Sequence, residues 1–248
     1  TELAQYNIEL NVPPRPLPGD AAIELEEELR ANLNHASERA KDAGSTIVAI
    51  GMLPTIMPEH YEGDWISDSN RYAALQDSVL GARGEDIELD IEGPTGEHLA
   101  TYCDTLAPES ACTSVQLHLQ VAPLEFADHW NAAQALAAPQ LALAANSPYF
   151  FGKRLHAESR IEVFHQACDT RPVELKNQGV RPRVWFGERW VTSIFDLFEE
   201  NVRYYPTLLA ETTDEDPMAK LEAGIAPTLA ELRLHNGTIY RWNRPIYD

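Results

Sequence analysis

The segment ACTSVQLHLQV (residues 111–121) constrains the fold more than any other part of the chain, because its apolar and polar residues alternate. Successive side chains of a β-strand point to opposite faces of the sheet. One face of the predicted strand carries Val115, Leu117, Leu119 and Val121, and the other carries Gln116, His118 and Gln120. The alternation therefore predicts a strand that packs its apolar face on a core and leaves amide and imidazole groups on the opposite face.

Strand patterns also occur near the start of the chain. Residues 6–12 (YNIELNV) alternate in the same way, with Asn7, Glu9 and Asn11 on the polar side. Residues 46–51 are almost wholly apolar, which predicts a central strand covered on both faces.

A third polar face is predicted near the end of the chain. Residues 229–235 and 238–243 predict a hairpin, because the intervening Asn-Gly pair favours a tight turn. The side chains expected on or near its polar face are Glu231, Arg233, His235 and Arg241.

Long helices separate the predicted strands. Spacing and capping residues predict helices at 20–43, 70–80, 125–145, 191–204 and 216–223, whereas 159–166 fits a helix or a strand. Shorter strands are predicted at 87–92 and 180–185. This order predicts an α+β fold with a largely antiparallel sheet and helices packed on one face.

The composition argues against two classes of partner. The 19 Lys and Arg face 39 Asp and Glu, for a net charge of −20, which repels nucleic acid and anionic membranes. The sequence has neither a run of about 18 apolar residues nor a secretion signal, and its three cysteines fit a reducing compartment. We expect a cytoplasmic protein with small-molecule partners, and a homo-oligomer stays open.

The polar faces are the candidate site, because the chain has no P-loop, no GxGxxG motif and no HExxH motif. A set of amide, imidazole, carboxylate and guanidinium groups fits ligand binding. A hydrated sheet face remains the alternative.

Three stretches resemble the actinobacterial-type branch of the glutamate–cysteine ligase (GCS2) family. They are YNIELNVPPRP, then ESACTSVQLHLQV with the later ANSPYFFG, and finally RVWFGERW with LHNGTIYRWNRPIYD. The resemblance spans nearly the whole chain and implies a glutamine-synthetase-like fold, ATP and Mg²⁺ as cosubstrate and cofactor, and a role in glutathione biosynthesis. The implied reaction phosphorylates the γ-carboxylate of glutamate, and the amine of cysteine then attacks the acyl phosphate.

The resemblance also implies roles for individual residues. Glu9 and Gln116 would bind Mg²⁺, and so would Glu231 if Glu231 and Arg233 form the family's late Glu-x-Arg motif. The nucleotide or the substrate would be contacted by His118, Gln120, Asn11 and Asn146, and phosphate or carboxylate groups by Arg160, Arg233 and Arg241. Asn146 fits the end of a helix equally well.

We expect residues 1–248 to form a single catalytic-core domain truncated at both ends. Relatives begin with a GxExE strand that supplies further metal carboxylates, and Thr1 lies after that point. The family's late Glu-x-Arg motif would lie beyond Asp248 unless Glu231 and Arg233 supply it. Such a chain would bind ligands without catalysing alone. A ligase for a different amine and a non-catalytic binding domain stay open as alternatives.

Overall fold

An antiparallel hairpin lies at the centre of the core in the computed structural model, which describes residues 2–247. Strand β1 (Ile87–Glu92) pairs with β2 (His98–Cys103), and the register runs from Ile87 opposite Cys103 to Glu92 opposite His98. Ile87, Leu89 and Ile91 are buried while the residues between them are exposed. The strand predicted at 87–92 is confirmed.

Helices make up most of the regular structure. They are α1 (Ala21–Asp42), α2 (Asn70–Arg83), α3 (Ala107–Ser110), α4 (Phe126–Ala144), α5 (Arg160–Ala167), α6 (Val173–Asn177), α7 (Ile194–Tyr204), α8 (Pro217–Glu222) and α9 (Ala230–Gly237), with a 3-10 helix at Pro58–Tyr61. Five of them confirm predicted helices, and α5 decides between the two readings of 159–166. A second small hairpin pairs β3 (Tyr149–Phe150) with β4 (Lys153–Arg154).

Two apolar clusters hold these elements together. In the larger one, α5 packs on β1 and α3 packs on α5, and the cluster includes Leu89, Leu106, Phe150 and Val163. The smaller one joins α4 to α7 through Trp130, Val191 and Leu197. Helices combined with antiparallel strands confirm the α+β class. No helix among residues 2–247 is long and apolar enough to cross a membrane.

The predicted terminal hairpin is wrong. Residues 230–237 form α9, and Asn236-Gly237 lies at the end of this helix. Alternation over a few residues cannot separate a strand from a helix, and helical spacing brings the buried Asn236 onto Asn201 of α7 at 2.7 Å. The strand predicted at 180–185 is reduced to one bridge between Trp185 and Arg241.

Three other predicted strands form no strand ladder within the described part of the chain. They are the N-terminal segment (residues 6–12), the apolar segment (residues 46–51) and the strand predicted at 111–121, of which residues 113–121 are called the Gln–His–Gln segment below. Val48 is 56% exposed and Leu117 is 71% exposed, so the predictions of a covered central strand and of a buried apolar face are both wrong. A strand buries its apolar face only when another element packs on it, and Val48 and Leu117 are not covered in this way.

Candidate functional site

The three irregular segments meet at the C-terminal end of α3. The side-chain amide of Asn7 donates to the carbonyl oxygen of Ser110 at 2.6 Å. The backbone N–H of Thr113 donates to the carbonyl oxygen of Gly51 at 3.0 Å. The backbone N–H of Gly51 donates in turn to the carbonyl oxygen of Asn146, also at 3.0 Å. The segments that carry Glu9 and Gln116 are therefore attached to the same short helix.

An ion pair between Arg160 and Glu158 lies at this meeting point. Nε and Nη2 of Arg160 donate to the two carboxylate oxygens of Glu158, and Nη1 donates to the carbonyl oxygen of Thr113 at 2.7 Å. The Glu158 carboxylate also accepts hydrogen bonds from the backbone N–H of Asn146 and the hydroxyl group of Ser147. One carboxylate thus connects the loop after α4 to the start of the Gln–His–Gln segment.

Both charges of this pair are stabilised by their surroundings. Burial alone would raise the pKa of Glu158, but hydrogen bonds from Arg160 and Ser147 hold it below its ordinary value. The hydrogen bond to Glu158 raises the pKa of Arg160. The pair therefore stays ionised at neutral pH, and a fork-like Arg–carboxylate contact fixes the direction of both side chains.

Gly51 completes a group of residues that we call the junction. The junction comprises Gly51, Thr113, Asn146, Ser147, Glu158 and Arg160. A Cβ atom on Gly51 would lie 2.7 Å from the carbonyl oxygen of Asn146 and 2.9 Å from Cζ of Arg160. Only a residue without a side chain leaves room for the guanidinium group at this position.

Glu9 lies beside a second carboxylate that the sequence analysis missed. Burial raises the pKa of the Glu2 carboxyl group, and the neighbouring acid Glu9 raises it further. Both residues lie on the short stretch that opens the chain, but the six residues between them give no sign in the sequence that they meet. Two adjacent carboxylates are the kind of oxygen donors that Mg²⁺ binds.

The polar side chains of the Gln–His–Gln segment are exposed. Nε2 of His118 lies 3.5 Å from Oε1 of Gln116, and Gln120 is also open to solvent. Asn11, on the N-terminal segment, is exposed as well. Since the apolar residues between them are also exposed, the segment does not separate its two faces by burial.

The predicted residues near the end of the chain have different surroundings. Glu231 lies on α9, where its carboxylate accepts a hydrogen bond from the backbone N–H of Thr213 at 2.8 Å. Arg233 lies on the same helix. Neither residue is in a strand, so the polar hairpin face expected for them is not formed.

Arg241 is 3% exposed and lies between α7 and α9. Its Nε and Nη2 atoms donate to Oδ1 of Asn201 at 3.1 and 3.0 Å, and Nη2 lies 3.2 Å from Oε2 of Glu200. Nη1 of Arg241 is buried and has no hydrogen-bond partner among residues 2–247. One nitrogen atom of this guanidinium group is therefore both buried and unpaired.

The residues predicted as metal ligands are not assembled into one cluster. Across the described residues, no group of three or more His, Cys, Asp or Glu side chains is arranged to hold a metal ion. Glu2 and Glu9 fit a hard cation in donor type, and the amide oxygen of Gln116 is a suitable neutral donor. One carboxylate oxygen of Glu231 accepts the hydrogen bond from Thr213, and Glu231 stays a proposed ligand through its other oxygen.

Comparisons with known proteins identify the family. The sequence model described as glutamate-cysteine ligase family 2 (GCS2) matches residues 1–186, which include the whole junction, Glu9 and Gln116. Glu231, Arg233 and Arg241 lie outside the matched range. No curated protein and no solved structure matches the chain. Because 186 of the 248 residues match, the chain belongs to glutamate-cysteine ligase family 2 and is related to carboxylate-amine ligases.

Proposed function

We propose that this chain is the core of an ATP-dependent ligase that joins the γ-carboxylate of glutamate to the amine of cysteine through an acyl phosphate. The observation that carries the proposal is the family match over residues 1–186. It is supported by the contacts that attach the segments bearing Glu9 and Gln116 to the same end of α3.

Each side chain of the site has a role that suits this chemistry. Glu2 and Glu9, with Gln116, would hold Mg²⁺, which supplies charge neutralisation for phosphoryl transfer when it is bound. His118 and Gln120 are exposed donors and acceptors for the nucleotide or the amino acid. Arg241 keeps one unpaired guanidinium nitrogen for an anionic group. Arg233 remains a proposed anion contact, and Asn11 and Asn146 remain proposed pocket residues.

Calorimetric titration of the chain with ATP, in the presence and absence of Mg²⁺, tests the proposal. We expect Mg²⁺-dependent binding that weakens about tenfold in Gln116→Ala and in Glu9→Gln, because each change removes one polar contact of the ligand. Gln140→Ala on the exposed side of α4 is the matched control and should bind like the parent chain. Absence of any Mg²⁺-ATP binding by the parent chain would overturn the proposal and favour a non-catalytic domain.

The identity of the amine requires a separate assay. Because we expect this chain to bind ligands without catalysing alone, binding of a panel of amines that includes cysteine is measured by calorimetry in the presence of glutamate and Mg²⁺-ATP. Binding of cysteine supports the proposed reaction. Binding of another amine and not of cysteine would instead assign the site to a different carboxylate-amine ligase.

A further inference from the structure

We infer that the Arg160–Glu158 ion pair positions the Gln–His–Gln segment for ligand binding by fixing Thr113, and that Arg160 itself does not contact the ligand. The functional part of this inference rests on the proposed function, because it is that proposal which makes Gln116 and His118 ligand-binding residues. The structural part stands on the contacts of the junction alone.

Thr113 is the fixed end of the Gln–His–Gln segment. Its N–H donates to the carbonyl oxygen of Gly51, its hydroxyl group donates to that of Ile50 at 2.6 Å, and its own carbonyl oxygen accepts from Arg160. By contrast, the backbone of residues 114–121 makes no hydrogen bond within the described part of the chain. Since Gln116 follows only three residues later, the direction in which the chain leaves Thr113 sets where Gln116 and His118 lie.

The guanidinium group of Arg160 uses three of its five N–H groups within the protein. Each of its three nitrogen atoms donates to a protein oxygen, two on Glu158 and one on Thr113. Glu158 is 8% exposed, so releasing Arg160 would leave a buried carboxylate without its counter-charge. Three of the five N–H groups of Arg160 are used in these contacts and its side chain is only 22% exposed, so the geometry favours a positioning role over the anion contact predicted from the sequence.

Gly51 gives an independent way to disturb the same contact. The Cβ atom of an alanine at this position would overlap with the guanidinium group and with the carbonyl oxygen of Asn146. Gly51→Ala therefore displaces Arg160 while keeping its charge. Arg160→Lys also keeps the charge but loses the planar fork, because an ammonium group cannot reach both Glu158 and the Thr113 carbonyl oxygen in the same way.

Amide hydrogen exchange, followed residue by residue by NMR on the chain, tests the structural part. In Arg160→Lys and in Gly51→Ala, we expect the Thr113 N–H, which donates to the carbonyl oxygen of residue 51, to exchange about tenfold faster, because Thr113 is held less firmly once the charge-assisted bond from Arg160 to its own carbonyl oxygen is lost. Exchange in the β1–β2 hairpin should be unchanged, which shows that the fold persists. Arg154→Lys, an exposed change in β4, is the matched control. Unchanged exchange at Thr113 in both variants would overturn the inference.

Titration of the same variants with Mg²⁺-ATP tests the functional part. We expect both variants to lose affinity about tenfold, and the double variant to lose no more than either one, because both changes act on one contact. A direct phosphate contact would instead give weaker binding in Arg160→Lys with normal exchange at Thr113, and this result would overturn the inference. If the parent chain binds no Mg²⁺-ATP, the proposed function fails, and so does the claim that the ion pair positions a ligand site. The exchange experiment still decides whether the ion pair fixes Thr113.

Discussion

The β1–β2 hairpin and the Gln–His–Gln segment alternate apolar and polar residues in the same way but differ in their surroundings. In β1, every second side chain is buried under α5 and its neighbours. In the Gln–His–Gln segment, Val115 and Leu117 are as open to solvent as Gln116 and His118. The difference is the presence of β2, which satisfies the backbone of β1 and brings a second row of side chains. Alternation therefore predicts which side chains a strand could bury. They are buried only when a partner strand pairs with it.

Paired leucine substitutions give the largest expected effect of this comparison. Leu89 is fully buried in β1, and Leu89→Ala should lower the free energy of unfolding by about 2–5 kcal/mol, because it removes core contacts and leaves a cavity. Leu117→Ala should change it by about 0.5 kcal/mol or less, as is usual for exposed positions. Urea denaturation followed by tryptophan fluorescence measures both. Equal effects of the two substitutions would show that the Gln–His–Gln segment is packed in solution.

The same comparison explains which parts of the fold could be predicted from the sequence. The helices α1 and α2 end at Gly44 and Gly84, both with φ near +70°, and such glycines are visible in the sequence. The β3–β4 hairpin was missed because its turn places Phe151 at φ 46°, a conformation in which a bulky residue is rare. Gly152, at φ 72°, is the sequence signal of this two-residue turn, but a Phe before it is an uncommon first turn residue.

The candidate site was predictable only in part, for a related reason. The types of its residues can be read from the sequence, since Glu9, Gln116 and His118 lie on alternating segments. Their neighbours cannot be read from the sequence, because the hydrogen bonds involved join distant residues. Asn146 and Glu158 are 12 positions apart, and Thr113 and Arg160 are 47 positions apart. Such contacts depend on the packing of α3 and α5, which alternation does not encode.

The pH dependence of stability tests whether the anchored end of the Gln–His–Gln segment is as buried as the hairpin. Burial raises the pKa of Glu109, on α3, from 4.5 to about 7, and its Oε2 atom is buried without a partner among the described residues. Between these two pH values the folded chain keeps a proton that the unfolded chain has lost. Stability should therefore fall as the pH rises through this window, by up to about 3 kcal/mol.

Glu109→Gln should remove this part of the pH dependence, because the amide does not ionise. Unfolding by urea across the same pH range measures the effect. Glu92→Gln, at an exposed position of β1, is the matched control and should keep the slope of the parent chain. If Glu109→Gln also keeps that slope, α3 is open to water in solution and the Gln–His–Gln segment lacks a buried anchor.

The smallest expected effect concerns the exposed face of the hairpin. Nε2 of His98 lies 2.6 Å from Oδ1 of Asp90, and both side chains are more than half exposed. Cross-strand pairs and surface ion pairs contribute little, so His98→Ala and Asp90→Asn should each cost about 0.5 kcal/mol, with a coupling energy below about 1 kcal/mol in a double-mutant cycle. A larger coupling energy would mean that side-chain pairs on the exposed face also stabilise the hairpin, in addition to its buried row. The Gln–His–Gln segment has no opposite strand and therefore cannot form such pairs.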